Sequence, residues 1–214
     1  MSALSENEAI YYSPQAYLLL EEQATVKREY YQGQIIAMSG ASLTHNRLVS
    51  RLHVALANGL AGKPCEVFMS DLRVEINQGR NYFYPDVTVV RGEPQLAGQR
   101  NDTITNPTIV IEVLSTSTEQ RDRGDKFRAY EQLASLTEYV LVDQYRVRVE
   151  YFRRVSPQEW QLLVLTDLAE TVQLQSIAVT ISLADIYRGI TFEPPKSPTP
   201  FKRKSDSKRT KKNP

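Results

Sequence analysis

The chain has 214 residues, 41% hydrophobic and 24% charged, with a formal net charge of +1 and one cysteine, Cys65. That composition supplies a core for one domain and excludes a disordered chain, a disulfide-stapled miniprotein and a multi-cysteine zinc site. No run approaches the ~20 apolar residues that span a bilayer, and Met1 to Ile10 lacks a basic start followed by an apolar block, so a cytoplasmic, membrane-free protein is expected.

Charge is unevenly spread. Pro194 to Pro214 carries eight Lys or Arg and one Asp, a net of +7, whereas the rest has 18 basic and 24 acidic side chains, a net of −6. Five of the 11 prolines also fall in this tail. It cannot bury enough apolar surface to fold, so the expected division is a globular unit at 1–193 and a disordered basic tail at 194–214. Such a polycation is either a solubilising tail or a sequence-independent attractor of phosphates.

Ser13-Pro14 predicts an N-cap with proline at the first helical position, opening a short helix through Glu21. Arg28 to Tyr31 and Gln34 to Met38 flank Gln32-Gly33 as a hairpin. Ser42 to Leu60 predicts the longest helix, with Leu48, Val49, Leu52, Leu56 and Leu60 on one face and His45 one turn earlier on it. Two short strands follow, Cys65 to Met69 and Leu72 to Ile76. After the turn Asn77 to Arg80, one longer strand is expected from Tyr82 to Val90. A polar loop runs from Arg91 to Asn106. Thr108 to Leu114 reads as a strand buried on both faces. Ser117 to Ser135 reads as mostly helical, with Phe127, Tyr130, Leu133 and Ala134 as its apolar stripe. Tyr139 to Val142 is the next strand, so strand, helix and strand suggest a βαβ crossover. Val147 to Phe152 and Trp160 to Leu165 add antiparallel strands, and Ser182 to Tyr187 closes as a helix. There is no internal repeat. The fold class expected is α/β.

Two carboxylates interrupt apolar strands. Asp86 lies in Tyr84-Pro85-Asp86-Val87, and Glu112 in Ile109-Val110-Ile111-Glu112-Val113-Leu114. A buried carboxylate must be neutralised, paired or metal-bound, or it must face solvent at a strand end. If the two meet across neighbouring strands, repulsion raises a pKa or recruits a cation, and all-oxygen ligation suits Mg²⁺ or Mn²⁺ over zinc. His45 and His53, eight residues apart, offer no His-Glu-x-x-His zinc motif. Lys126, on the following helix, borders the apolar stripe and could reach back over the strand end. Alternatively it is a solvated lysine paired with Asp122 four residues before it. Tyr82, Phe83 and Tyr84 alternate faces, which suits either sheet packing or one exposed side that stacks on bases.

Pro85-Asp86-Val87, Ile111-Glu112-Val113-Leu114-Ser115, Asp122-Arg123-Gly124-Asp125-Lys126 and Glu138 to Asp143, in that order, resemble the Uma-type restriction endonucleases of the PD-(D/E)XK nuclease superfamily. Glu29-Tyr30 before Gly33, and Thr44-His45-Asn46 opening the long helix, match as well. The resemblance runs from about Tyr17 to Ile190. It implies a restriction-endonuclease-like central mixed β-sheet flanked by helices and a metal-dependent phosphodiesterase site. In that pattern Asp86 and Glu112 are the metal ligands, joined by the Val113 carbonyl, with Mg²⁺ or Mn²⁺ as cofactor. The superfamily usually places its lysine two residues after the second acid, where this chain has Leu114, and the resemblance assigns that role to Lys126. Glu29 matches a family acid that adds to the metal site. His45 and Asp71 match family positions of unassigned role, a core histidine and a turn residue being the plainer readings. Gln34 stands where the family usually has an acid, and Thr116 where it usually has proline. The expected function is a Mg²⁺-dependent DNA endonuclease acting as a homodimer. The alternatives are a non-catalytic nucleic-acid-binding or regulatory protein on the same fold, and a hydrolase of RNA or another phosphodiester.

Overall fold

A computed structural model describes residues 10–192. The basic tail and the expected boundary at 193/194 lie outside these residues. The first helix, α1 (Pro14–Glu22), is capped by Ser13, whose hydroxyl accepts the N–H of Ala16. Strands β1 (Arg28–Tyr31) and β2 (Gln34–Ala37) form the expected hairpin. Its turn places Gln32 and Gly33 at φ +46° and +95°, as a two-residue turn between right-twisted strands requires. A side chain at Gly33 would also meet the ring of Tyr11 at 2.7 Å.

Helix α2 (Leu43–Gly59) follows its apolar period, and Leu48, Val49, Leu52 and Leu56 are buried. Strands β3 (Cys65–Met69) and β4 (Arg73–Ile76) come next. The expected single strand from Tyr82 to Val90 is two strands, β5 (Asn81–Phe83) and β6 (Val87–Arg91). The chain leaves one sheet and enters another at Tyr84-Pro85-Asp86. Pro85 has no N–H to give a ladder, so the interruption falls at a residue that sheet pairing cannot use. The expected loop after Arg91 contains a short strand, β7 (Thr103–Ile104), parallel to β4.

Strand β8 (Ile109–Leu114) is buried along its whole length and runs parallel to β9 (Glu138–Asp143). The link between them is less helical than expected. A single turn, α3 (Glu119–Arg121), passes into a π-helical turn over Asp122–Lys126 and then α4 (Phe127–Tyr130). Ala134 is exposed and Leu136, beyond the helix, takes its place in the core. Strands β10 (Val149–Ser156) and β11 (Glu159–Leu165) extend the sheet antiparallel. A hairpin of β12 (Thr171–Leu174) and β13 (Val179–Ser182), which the sequence reading missed, precedes α5 (Leu183–Ile186).

The expected central mixed sheet is the six-stranded β11-β10-β9-β8-β6-β3. A second, five-stranded sheet, β2-β1-β5-β4-β7, accompanies it. Alternation divides β8 between two cores. Ile109, Ile111 and Val113 join α2, the β12–β13 hairpin and α5. Val110 and Leu114 join Val74, Ile76, Phe83 and Ile104 of the second sheet and Tyr130 of α4. Glu112 shares the face of Val110 and Leu114, in the layer between the two sheets.

A third cluster joins Tyr17 of α1 to Tyr30 and Tyr82, with ring centroids 5.1 and 5.4 Å from Tyr17. Tyr82, Phe83 and Tyr84 are all buried, so the exposed stacking face considered above does not exist. Burial pushes the phenol of Tyr84 up to about 12 from an ordinary value of 10.0, and those of Tyr17 and Tyr82 further still. Phenols that ionise more readily in the unfolded chain contribute stability that is present below pH ~10 and lost as pH rises through the folded values. Titration to pH ~12 should therefore unfold the protein cooperatively, with the last part of the tyrosinate absorbance, from the buried phenols, rising together with the loss of circular dichroism. Complete tyrosinate absorbance, buried phenols included, near pH ~10 in a chain that stays folded would refute the assignment.

Candidate active site

Strand pairing brings the two acids together. Val87 on β6 opposes Ile111 on β8, so Asp86, one residue before β6, stands opposite Glu112. The Asp86 N–H donates to Glu112 Oε2 at 3.3 Å. Asp86 Oδ2 accepts the Val113 N–H at 2.7 Å and lies 3.2 Å from His45 Nε2. No described residue hydrogen-bonds to Asp86 Oδ1.

His45 reaches Asp86 because of the way α2 begins. The Ser42 hydroxyl caps the helix by accepting the His45 N–H and donates to Gln144 Oε1 at 2.6 Å. Gln144 in turn donates to the Leu114 carbonyl at 2.8 Å. The helix start is thereby tied to the end of β8, and the ring of the first turn points at the strand's acids. Burial pulls the His45 pKa down, but the hydrogen bond and charge of Asp86, with Asp122, raise it on balance. Its Nδ1 is buried without a partner. His45 is thus more than a core residue.

Lys126 is 4% exposed and fully inside the site. The π turn holds Asp122 and Lys126 inward together, and the Tyr139 hydroxyl fastens it by donating to the Asp122 carbonyl at 2.9 Å. Such widened turns recur at functional sites. The Lys126 ammonium lies 2.8 Å from Glu29 Oε1, 3.0 Å from Glu112 Oε1 and 3.3 Å from Asp122 Oδ1. The solvated alternative for Lys126 is excluded. Its Asp122 partner is real but is one of three. Burial alone would lower the Lys126 pKa, but Glu112, Glu29 and Asp122 hold it well above the ordinary lysine value. The same desolvation pushes the carboxyl of Glu112 well up, against the opposing charge of Lys126.

Glu29, on β1, accepts the Tyr84 N–H at 3.4 Å and pairs with Arg121 at 3.2 Å. Its contact is with Lys126, not with Asp86. Asp122, Arg121 and Tyr130, whose hydroxyl donates to Glu112 Oε1 at 3.4 Å, complete the cluster. Of these only Asp122 had a sequence signal, its spacing of four from Lys126. Asp71 lies outside: its side chain is 88% exposed and pairs with Lys27 on a surface turn.

Four acids, Asp86, Glu112, Glu29 and Asp122, therefore face two permanent cations, Lys126 and Arg121. That surplus of negative charge, most of it buried, together with an Asp86 Oδ1 that no described residue engages, fits a hard divalent cation held by oxygen. Among the described residues no three His, Cys, Asp or Glu side chains gather as a metal-binding group, because Lys126 occupies the centre of the acids. Asp86 and Glu112 are the two side chains that could hold an ion, with backbone or water oxygens filling the remaining positions.

No helix among the described residues is long and apolar enough to cross a membrane. Two proteins of Synechocystis sp. are similar along the chain. The uncharacterized protein sll1609 is 42% identical over 149 residues, covering 70% of this chain and 84% of that one. The uncharacterized protein slr1290 is 38% identical over 182 residues, covering 84% and 93%. The fold matches the crystal structure of a "putative nuclease belonging to DUF820" from Anabaena variabilis, with a TM-score of 0.68, 19% identity, and coverage of 82% of this chain and 97% of that one. The family model described as "putative restriction endonuclease" matches residues 14–185, and the chain belongs to this Uma2 family.

Proposed function

We propose that this protein is a metal-dependent endonuclease that hydrolyses phosphodiester bonds of DNA. The observation that carries the reading is the convergence of Asp86, Glu112 and Lys126. They come from a strand break, a central strand and a π turn: Glu112 accepts from the Lys126 ammonium and from the backbone N–H of Asp86, with Glu112 and Lys126 buried and the Asp86 carboxylate at the half-buried edge of the cluster. A protein that only bound nucleic acid would gain nothing from burying these acids, and desolvating them costs several kcal/mol each.

Asp86 and Glu112 would hold Mg²⁺ or Mn²⁺, which when bound would supply Lewis acidity at the scissile phosphate and a water nucleophile near neutral pH. The chain's own residues do the rest. The Val113 N–H and His45 hold the Asp86 carboxylate by one oxygen and leave the other free to ligate. Lys126, kept charged by its three acids, acts as a fixed cation beside the phosphate rather than as a base. Glu29 acts one step back, orienting Lys126 and tying it to Arg121. A two-fold dimer would present two such clusters to opposite strands of a duplex.

Purified protein incubated with supercoiled plasmid should nick or linearise it in Mg²⁺ or Mn²⁺ and not in EDTA. Asp86→Asn, which keeps shape and removes charge, should lower the rate at least ~100-fold. Equal activity of this variant would assign the cutting to a contaminant or another site. Tight binding with no cleavage of any DNA or RNA would favour the binding-protein reading, and cleavage of RNA alone would transfer the proposal to a ribonuclease.

A further inference from the structure

A cleft of about 560 Å³ lies between the outer face of α2 and the turn that joins β3 to β4. Asn46, Arg47, Ser50, Arg51 and Ser70 are among its walls. Two of its wall residues adjoin the acidic cluster: the Ser70 N–H donates to the Asp86 carbonyl at 3.3 Å, and Asn46 follows His45, whose ring contacts Asp86. Arg47 and Arg51 sit one helical turn apart, about 6 Å along α2. Neither is among the arginines that form ion pairs within the described residues. The Nη1 of Arg51 is buried with no hydrogen-bond partner. Arg188 is close enough that, after burial, its charge and that of Arg47 both depress the Arg51 pKa. Asp71, the acid on the cleft's wall, is engaged by Lys27.

A buried N–H without an acceptor is destabilising, and like charges held together add to that. Unpaired guanidinium groups in a concave surface are relieved by an oxyanion with several acceptors, and guanidinium geometry fits the paired oxygens of a phosphodiester, the anion a nuclease's substrate supplies. We propose that this groove binds backbone phosphates of the nucleic-acid strand whose scissile bond lies at Asp86, Glu112 and Lys126. The inference rests on the nuclease reading and adds where the substrate strand runs: along α2, past Arg47 and Arg51, on the side of Ser70.

The test is fluorescence anisotropy of the full chain with a labelled DNA duplex of about 20 bp, in EDTA so that no cleavage intervenes, between about 50 and 200 mM NaCl. Arg47→Ala/Arg51→Ala should weaken binding at least about tenfold and make the slope of log K against log salt shallower by about 2, close to one per lost phosphate contact. Arg47→Ala alone, at an exposed position that does not bear on folding, should make it shallower by about 1. The charge-matched Arg80→Ala/Arg153→Ala, away from the groove, should change affinity less than about twofold. A folded double variant with the wild-type slope, or a control that loses as much, overturns the groove while leaving plasmid cleavage to judge the nuclease reading. Inorganic phosphate that stabilises the wild type but not the double variant, without competing with DNA, would make this a small-anion site and also overturn it. A wild type that binds neither duplex nor single strand in this range brings down both readings.

Discussion

Lys126→Met should lower the melting temperature by on the order of 10 °C and abolish cleavage. The substitution keeps an unbranched apolar side chain one atom shorter and removes the only cation among the described residues that Glu112 and Asp122 contact as an ion pair. Glu29 keeps Arg121, but Glu112 and Asp122, 3% and 2% exposed, keep none. Removing one member of a buried ion-pair network typically costs about 3–5 kcal/mol, because the charges left behind remain desolvated. In a domain of this size each kcal/mol moves the melting temperature by ~2–4 °C. Adding Asp122→Asn should recover part of the loss, since the double change removes an orphaned charge with little change of shape. A melting temperature within a degree or two of the wild type would mean that Lys126 is solvated in solution, and the site as described would not exist.

Adding Mn²⁺ or Mg²⁺ should stabilise the wild-type protein and leave Asp86→Asn and Glu112→Gln unmoved. A ligand at ~100 times its dissociation constant stabilises the folded state by about 2.7 kcal/mol, equivalent to ~5–10 °C here. Glu112→Gln should be at least as stable as the wild type when metal is absent. The carboxyl of Glu112 is buried among Asp122, Asp86 and Glu29, and a neutral amide escapes the desolvation that its charge suffers. The variant thus separates two roles that activity alone would merge: it keeps the fold and loses the response to the ion. Identical shifts in wild type and variants would place the cation elsewhere.

Much of the site could be read before any coordinates. Asp86 and Glu112 stand out because a carboxylate inside a run of Val, Ile and Leu has few physical excuses, and both lie in the cluster. The long helix followed its spacing, with Ser42 as the cap. Lys126 was marked by its place beside the apolar stripe of its helix, the family resemblance added Glu29, and the structure brings Lys126 into contact with Glu29 and Glu112. Their chemical roles are what the plasmid and metal experiments address.

What escaped depends on contacts distant in sequence. Tyr82 to Val90 reads as one strand because alternation continues through Tyr84-Pro85-Asp86, and β pattern does not reveal which sheet a strand joins. The β12–β13 hairpin is short and its buried positions face α2, so its pattern makes sense only once α2 is there. Residues 122–126 look like ordinary helix because α and π turns differ by one residue in hydrogen-bond reach, a difference set by what the turn must pack against.

By itself the amino-acid order determined which positions are apolar, where chains must turn and which charges have no business in a strand, since these follow from side-chain hydration and local backbone preference. The partners of those charges were decided only by tertiary structure. Coulomb energy and desolvation depend on distances of 3 Å between residues up to 97 apart, from Glu29 to Lys126. No local pattern carries that information: it arises when two sheets close over one lysine.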